Sequence, residues 1–180
     1  MGVSGWGTAT HRGCVRAVNE DAVLAEPPLF VVADGMGGHA AGDVASWLAI
    51  QVLLSLAHRE DIGAQDTLDA LVTANEAILE SAAENSERSG MGTTISGMAL
   101  VHAGGIDHWL VFNIGDSRVY KLEGGLLSQL TVDHSEVEEM VASGLLTREQ
   151  APSYPRRNVL TRSLGIDPPP QPDSWMFPAA

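Results

Sequence analysis

A chain of 180 residues suits one domain with a sizeable core and is short for two. Hydrophobic residues make up 44% and mean hydropathy is +0.04, which excludes a disordered chain, and no apolar run is long enough to span a bilayer. The formal net charge of −13, with Lys121 the only lysine, argues against broad contact with nucleic acid or an anionic membrane surface. An anionic substrate must therefore be received by a metal ion or by a particular arginine. Met1 to Trp6 has neither the basic start nor the apolar core of a secretory signal, and Cys14, the sole cysteine, permits no intrachain disulfide. The expectation is a cytoplasmic protein with no membrane insertion, with Cys14 a small packed residue.

In chain order, residues 3–11 and 22–25 read as short strands and 29–34 as a stronger, fully buried one. Ala45, Leu48, Ala49, Val52, Leu53 and Leu56 share one helical stripe, predicting a helix over 40–58. Leu68, Leu71, Ile78, Leu79 and Ala82 predict a second over 66–87, with Asp66 as its N-cap. Asn75 lies in that stripe and reads as a buried, hydrogen-bonded amide. Residues 92–103 and 106–114 form a strand pair across Gly104-Gly105, and 117–122 and 126–131 another across Glu123-Gly124-Gly125. A helix over 135–144 and a short helical or looped piece from Thr147 to Gln150 follow. The proline-rich run from Pro168 to Pro172 is a stiff extended link, after which Ser174 to Pro178 begins something apolar. Strands, two helices, then strands again indicate an α+β fold with layered sheets.

The chemistry concentrates at strand ends. The apolar run from Leu29 to Ala33 stops at Asp34, followed by Gly35-Met36-Gly37-Gly38-His39. A carboxylate at the end of a buried strand needs a partner, and a hard divalent cation is one; a glycine carbonyl can add a ligand without obstructing the site. The plain alternative is that Asp34 caps the following helix. Arg16, Glu20 and Asp21 form a second cluster: either a surface ion pair of little worth, or an arginine fork for phosphate beside acids that order metal-bound water. Asp116, after Ile114-Gly115, repeats the Asp34 pattern, against the alternative of an ordinary type I turn, and Arg118 is expected to pair with it. Gly35-Met36-Gly37-Gly38-His39-Ala40 also fits a loose dinucleotide-binding fingerprint. However, Glu60 and Asp61, near the right distance for the ribose acid, follow a helix with no intervening strand, so a dinucleotide-binding oxidoreductase is the weaker alternative. No cysteine and histidine pattern for zinc is present.

Taken together, Arg16-x-x-Asn19-Glu20-Asp21, Ala33-Asp34-Gly35-Met36-Gly37-Gly38-His39, Gly90-Met91-Gly92-Thr93-Thr94, Ile114-Gly115-Asp116-Ser117-Arg118, Thr131-Val132-Asp133-His134-Ser135 and Asn158-Val159-Leu160-Thr161-Arg162-Ser163-Leu164-Gly165 resemble, in order, the PPM-type or 2C-class metal-dependent protein serine/threonine phosphatases of bacteria. The resemblance implies a four-layer α-β-β-α sandwich of two antiparallel sheets flanked by helices, with a dinuclear Mn2+ or Mg2+ centre and a weaker third metal. It also implies roles: Asp34 bridging both metals, the Gly35 carbonyl ligating one, Glu20 and Asp21 acting through water, Asp116 holding the third metal, and Arg16 gripping phosphate. Human-type members often carry a histidine proton donor where Met36 stands, so His39 or a metal-bound water takes that role here. The implied substrates are phosphoserine and phosphothreonine proteins, with a serine/threonine kinase as opposing partner. The non-catalytic alternative is an interaction module that keeps the fold.

One departure stands out. Family members continue with a strand ending in Asp-Gly and a later Asp-Asn motif, each donating a metal-ligating carboxylate, whereas here Asp167 and Asp173 lie in proline-rich context. Residues 1–180 are thus expected to be the N-terminal portion of a single phosphatase domain. Weak activity, bare sheet edges and partly uncovered Trp109 or Phe112 should follow.

Overall fold

Strict alternation along Leu29–Met36 sends Leu29, Val31 and Ala33 to one face of a strand and Phe30, Val32 and Asp34 to the other. That division organises the whole molecule. The computed structural model describes residues 3–37, 41–59 and 61–179. Strand β1 (Asp21–Glu26) pairs antiparallel with β2 (Leu29–Met36), which pairs in turn with β4 (Ile95–Ala103); β5 (Ile106–Ile114) and β8 (Asp173–Pro178) complete the order β1-β2-β4-β5-β8. A two-residue strand, β3 (Gly92–Thr93), pairs with the end of β2. A separate antiparallel ribbon joins β6 (Tyr120–Glu123) to β7 (Leu126–Gln129).

The Leu29 face is covered by α1 (Gly42–Ala57), and α2 (Ala64–Glu84) packs on α1. Ala45, Ala49 and Leu53 in α1, Leu71, Ala74 and Ile78 in α2 and Leu29, Val31 and Ile95 in the sheet form one buried cluster. Full burial of a side chain such as Leu53 contributes about 2 kcal/mol. Asn75 lies in this core with no exposure; its amide donates to the Ile166 carbonyl at 3.0 Å and accepts from the Gly165 and Ile166 N–H groups at 2.7 and 3.2 Å. It therefore ties α2 to the loop that reaches β3 through the Thr93–Leu164 bridge. A short helix, α3 (Glu136–Ala142), starts at Ser135, whose hydroxyl accepts from the Glu138 N–H.

Two antiparallel sheets and three α-helices agree with the expected α+β class. Several details differ. Residues 3–11 form no strand, although β1 is an edge strand with an open side; Gly5 and Gly7 weaken any ladder there. The segment still reaches the sheet's open face, where Trp6 meets Phe30 edge-on at 6.4 Å and Phe30 meets Trp109 at 6.1 Å. Asp66 is not the N-cap of α2. Gly63 occupies that position, and Asp66 accepts its N–H at 2.8 Å from within the first turn. Cys14 is exposed rather than packed. The apolar run after the proline link is strand β8, which pairs with β5 over Asn113 to His108, so that edge of β5 is not bare. Phe112 is consequently fully buried, contrary to expectation, while Trp109 is half-buried. Among the described residues, no helix is long and apolar enough to cross a membrane.

Candidate metal and phosphate site

Asp34 points to the sheet face away from the helices, at the end of β2. Directly opposite it in the β1–β2 register is Asp21. Like charges facing each other across an antiparallel pair repel. Burial, followed by the charges of Asp21 and Asp116, raises the Asp34 carboxyl from 3.8 to about 6, and only Arg16 works the other way. The two carboxylates line an open cavity of about 260 Å³ with Ala9, Thr10, Val32, Ser117 and Arg118. The approach to Asp21 is held by Asn19, which accepts from the Asp21 N–H at 3.2 Å and donates to the Thr10 hydroxyl at 2.7 Å.

Gly35 must be glycine. A Cβ there would lie 2.0 Å from the Gly42 carbonyl oxygen and 2.7 Å from that of Glu20. This close approach seats the start of α1 against the end of β2. The Gly35 N–H donates to the Glu20 carbonyl at 3.1 Å, which also accepts from the Ser46 hydroxyl at 2.6 Å. The side chain of Glu20 is mostly buried beside Gly42. Arg16, by contrast, is 79% exposed, and its ion-pair contact among the described residues is Glu20 at 4.0 Å, leaving the guanidinium fork open to a ligand.

The Asp116 turn is held from beneath. Thr94 brackets Asp34, its hydroxyl accepting the Asp34 N–H at 3.0 Å and its own N–H donating to the Asp34 carbonyl at 3.0 Å. The same hydroxyl shares a 2.7 Å hydrogen bond with Ser117. Ser96 donates to the Ser117 carbonyl at 2.7 Å and to the Asn113 side chain. Burial pushes the Asp116 carboxyl up; the Asp133 charge adds to this, and Arg118 opposes it. Arg118 does not pair with Asp116 as expected. Its fork engages Asp133, with Nε to Oδ1 at 2.8 Å and Nη2 to Oδ2 at 2.5 Å, and that hydrogen bonding holds the guanidinium well above its usual range.

The structure thus brings Arg16, Glu20, Asp21, Asp34 and Gly35 around the β1–β2 end, with Asp116 close enough for its charge to act on Asp34. His39 lies outside the described residues. Sequence reasoning gave no role to Thr94, Ser117, His134 or Asp173, although three of them sit inside the quoted motifs. Asp173 had no local signal; its pairing with His134 and Arg162 exists only in three dimensions. Among the described residues, no three histidine, cysteine or acidic side chains converge tightly enough to cage a metal by themselves. The donor set nevertheless fits a hard divalent cation. Mutually repelling carboxylate oxygens beside a strand-end carbonyl suit Mg2+ or Mn2+, and Mg2+ is often held through one or two carboxylates and water. The antiparallel pairing on both sides of β2 removes the dinucleotide reading, which requires a parallel sheet.

Comparison with known proteins agrees. The family profile described as Protein phosphatase 2C matches residues 13–165. The serine/threonine phosphatase stp of Listeria innocua is 35% identical over 183 residues, covering 94% of this chain and 70% of that protein. The serine/threonine protein phosphatase PstP of Mycobacterium tuberculosis is 44% identical over 157 residues, covering 86% of this chain and 30% of the longer relative. The crystal structure of M. tuberculosis PstP/Ppp superposes with a TM-score of 0.82 at 40% identity, over 96% of this chain and 72% of that one. The PstP catalytic domain in complex with two manganese ions gives a TM-score of 0.84 at 37% identity, over 96% and 71% of the two chains. The matched span contains all the acidic groups of the cavity and Arg16, and with them this chain belongs to the protein phosphatase 2C family of metal-dependent serine/threonine phosphatases.

Proposed function

We propose that Arg16, Glu20, Asp21, Asp34, Gly35 and Asp116 carry the phosphatase chemistry in this chain, on phosphoserine and phosphothreonine side chains of proteins. The carrying observation is the facing pair Asp21 and Asp34, whose repulsion a divalent cation would relieve. Asp34 and the Gly35 carbonyl would hold the cation, with Glu20 and Asp21 acting through water and Asp116 serving a weaker site. When bound, Mn2+ or Mg2+ would supply an activated water and neutralise charge on the phosphoryl oxygens. Arg16 orients the phosphoryl group through two parallel hydrogen bonds from its open fork, which favour the in-line arrangement. His39 is the proposed proton donor to the leaving oxygen. The proposed setting is the cytoplasm, opposing a serine/threonine kinase, in keeping with the bacterial serine/threonine phosphatases that the chain resembles.

That no three acidic, histidine or cysteine side chains converge among the described residues favours a second reading, a phosphatase-like interaction module with little chemistry. The test is phosphate release from a phosphothreonine peptide with Mn2+, with chelator, and with Asp34→Ala. Release that requires the metal and vanishes in the variant is expected. Release indifferent to both would overturn the assignment, and tight peptide binding without release would establish the module.

A further inference from the structure

His134 is a buried histidine that the phosphatase chemistry above does not use. It is 4% exposed, and both of its ring nitrogens are committed. Nδ1 lies 3.1 Å from the Gly115 backbone nitrogen, which can only donate, so Nδ1 is the acceptor and the ring proton sits on Nε2. Nε2 in turn donates to Asp173 Oδ2 at 3.1 Å, and the other Asp173 oxygen accepts from Arg162 at 2.8 Å. The backbone of His134 is fixed as well: its N–H donates to the Gly115 carbonyl at 2.9 Å, and its carbonyl accepts from Thr161 at 2.9 Å.

One residue therefore grips Gly115 by both its backbone N–H and its carbonyl. Gly115 has φ of +108°, and a Cβ there would lie 2.6 Å from the Thr94 side chain. The next residue is Asp116. We propose that His134, anchored by Asp173 on β8, is a positioning residue that sets the Asp116 carboxylate, rather than a group that moves protons. This rests on the reading of Asp116 as a metal-site carboxylate. The clamp joins three segments far apart in sequence, the end of β5, the loop before α3 and the start of β8, so the aim of Asp116 depends on β8 being docked.

Two substitutions separate the halves of the imidazole. His134→Asn puts an amide oxygen where Nδ1 stands and can still accept from Gly115, whereas His134→Gln reaches Asp173 and cannot. Amide hydrogen exchange of the whole chain should show Gly115 exchanging about tenfold faster in His134→Gln, the factor that loss of one hydrogen bond allows. In His134→Asn, which keeps the acceptor but loses the Asp173 anchor, it should rise only about twofold, and the helical-core amides of Leu53 and Ile78 should be unchanged in both. Asp173→Ala, at a partly exposed position, should accelerate Gly115 at least about twofold through the freed ring. Mn2+ titration of the same proteins should weaken in His134→Gln as it does in Asp116→Asn, and recover in His134→Asn. Equal Gly115 exchange in the Asn and Gln variants, or wild-type exchange in Gln, overturns the clamp. If Asp116→Asn leaves Mn2+ affinity untouched, the metal reading of Asp116 fails, while the exchange data still decide the clamp.

Discussion

Asparagine at position 34 should make the metal-free chain more stable and leave it unable to use a metal. An acid raised from 3.8 to about 6 holds its proton more tightly when the chain is folded. Stability therefore falls as pH rises across that window, and the full penalty stands above it. A rise from 3.8 to about 6 amounts to about 3 kcal/mol without screening. The Asp34 side chain opens into a wet cavity, so water screens the Asp21 and Asp116 charges and about 1 kcal/mol remains. Asp34→Asn removes the charge with little change of shape. In chelator near neutral pH its thermal midpoint should rise by about 2–4 °C, and the gap should shrink below about pH 4. Saturating Mn2+ should reverse the order: ligand at about 100 times its Kd stabilises the wild type by about 2.7 kcal/mol and the variant hardly at all. Calorimetry at two pH values, with and without Mn2+, measures all four states. A variant less stable than wild type in chelator would show that Asp34 is held by favourable contacts rather than strained by its neighbours. Equal Mn2+ stabilisation of both proteins would show that Asp34 is not the ligand.

Gly35→Ala should cost about 3 kcal/mol or more, because its Cβ would meet backbone oxygens of Gly42 and Glu20 that cannot move independently; an unchanged urea midpoint would mean that α1 is not seated on β2 as described. Asn75→Ala should cost about 2–4 kcal/mol by stranding the N–H groups of Gly165 and Ile166 and the Ile166 carbonyl, and denaturant unfolding would read it. Arg16→Ala should lower kcat/KM on a phosphothreonine peptide by about a hundredfold. Its thermal stability should move by less than about 0.5 kcal/mol, since the side chain is exposed and its pair with Glu20 is long. A large loss of stability there would make Arg16 structural.

What the sequence made legible follows from which forces act locally. The α1 stripe reports burial at a fixed period and lies where that period puts it, whereas the Leu29–Ala33 run, expected to be buried throughout, is buried on one face only and leaves Val32 43% exposed on the other, because no helix covers that side of β2. Asn75 was readable as a satisfied core amide because a polar residue in an apolar stripe has few other outcomes. The acidic strand end at Asp34 and the glycine after it were readable for the same reason, since each is costly without a specific environment. Residues 3–11 misled, because strand-forming composition does not secure pairing: β1 offers an open edge, but Gly5 and Gly7 weaken a ladder along it. Strand β8 was obscured by its prolines, and its pairing with β5 is a non-local fact. Arg118 turned to Asp133 rather than Asp116 because the β6–β7 ribbon brings residues 118 and 133 together, and sequence neighbourhood could not anticipate that.

The origin of the site's strain also explains its supporting shell. Two facing carboxylates would drift apart if their strands could slip, and slipping would dissipate the repulsion that makes a cation welcome. The hydrogen bonds around Thr94 prevent this. They fix Asp34 through both of its backbone groups and link it to Ser117, while Ser96 and Asn113 hold the other side of the same turn. These groups are neutral, and Thr94, Ser96 and Asn113 are buried, so each must be satisfied; among the described residues no buried side-chain nitrogen or oxygen lacks a partner. The fold therefore bears the cost of gathering the charges before any ligand arrives, and binding energy is not spent on assembling them. On this account, loosening the neutral network, by Thr94→Val for example, should relax Asp34 toward its ordinary carboxyl value and weaken the metal at the same time. Carbon-13 NMR titration of the Asp34 carboxyl would read the first effect without any metal present. A value that stays near 6 in that variant would place the origin of the strain elsewhere.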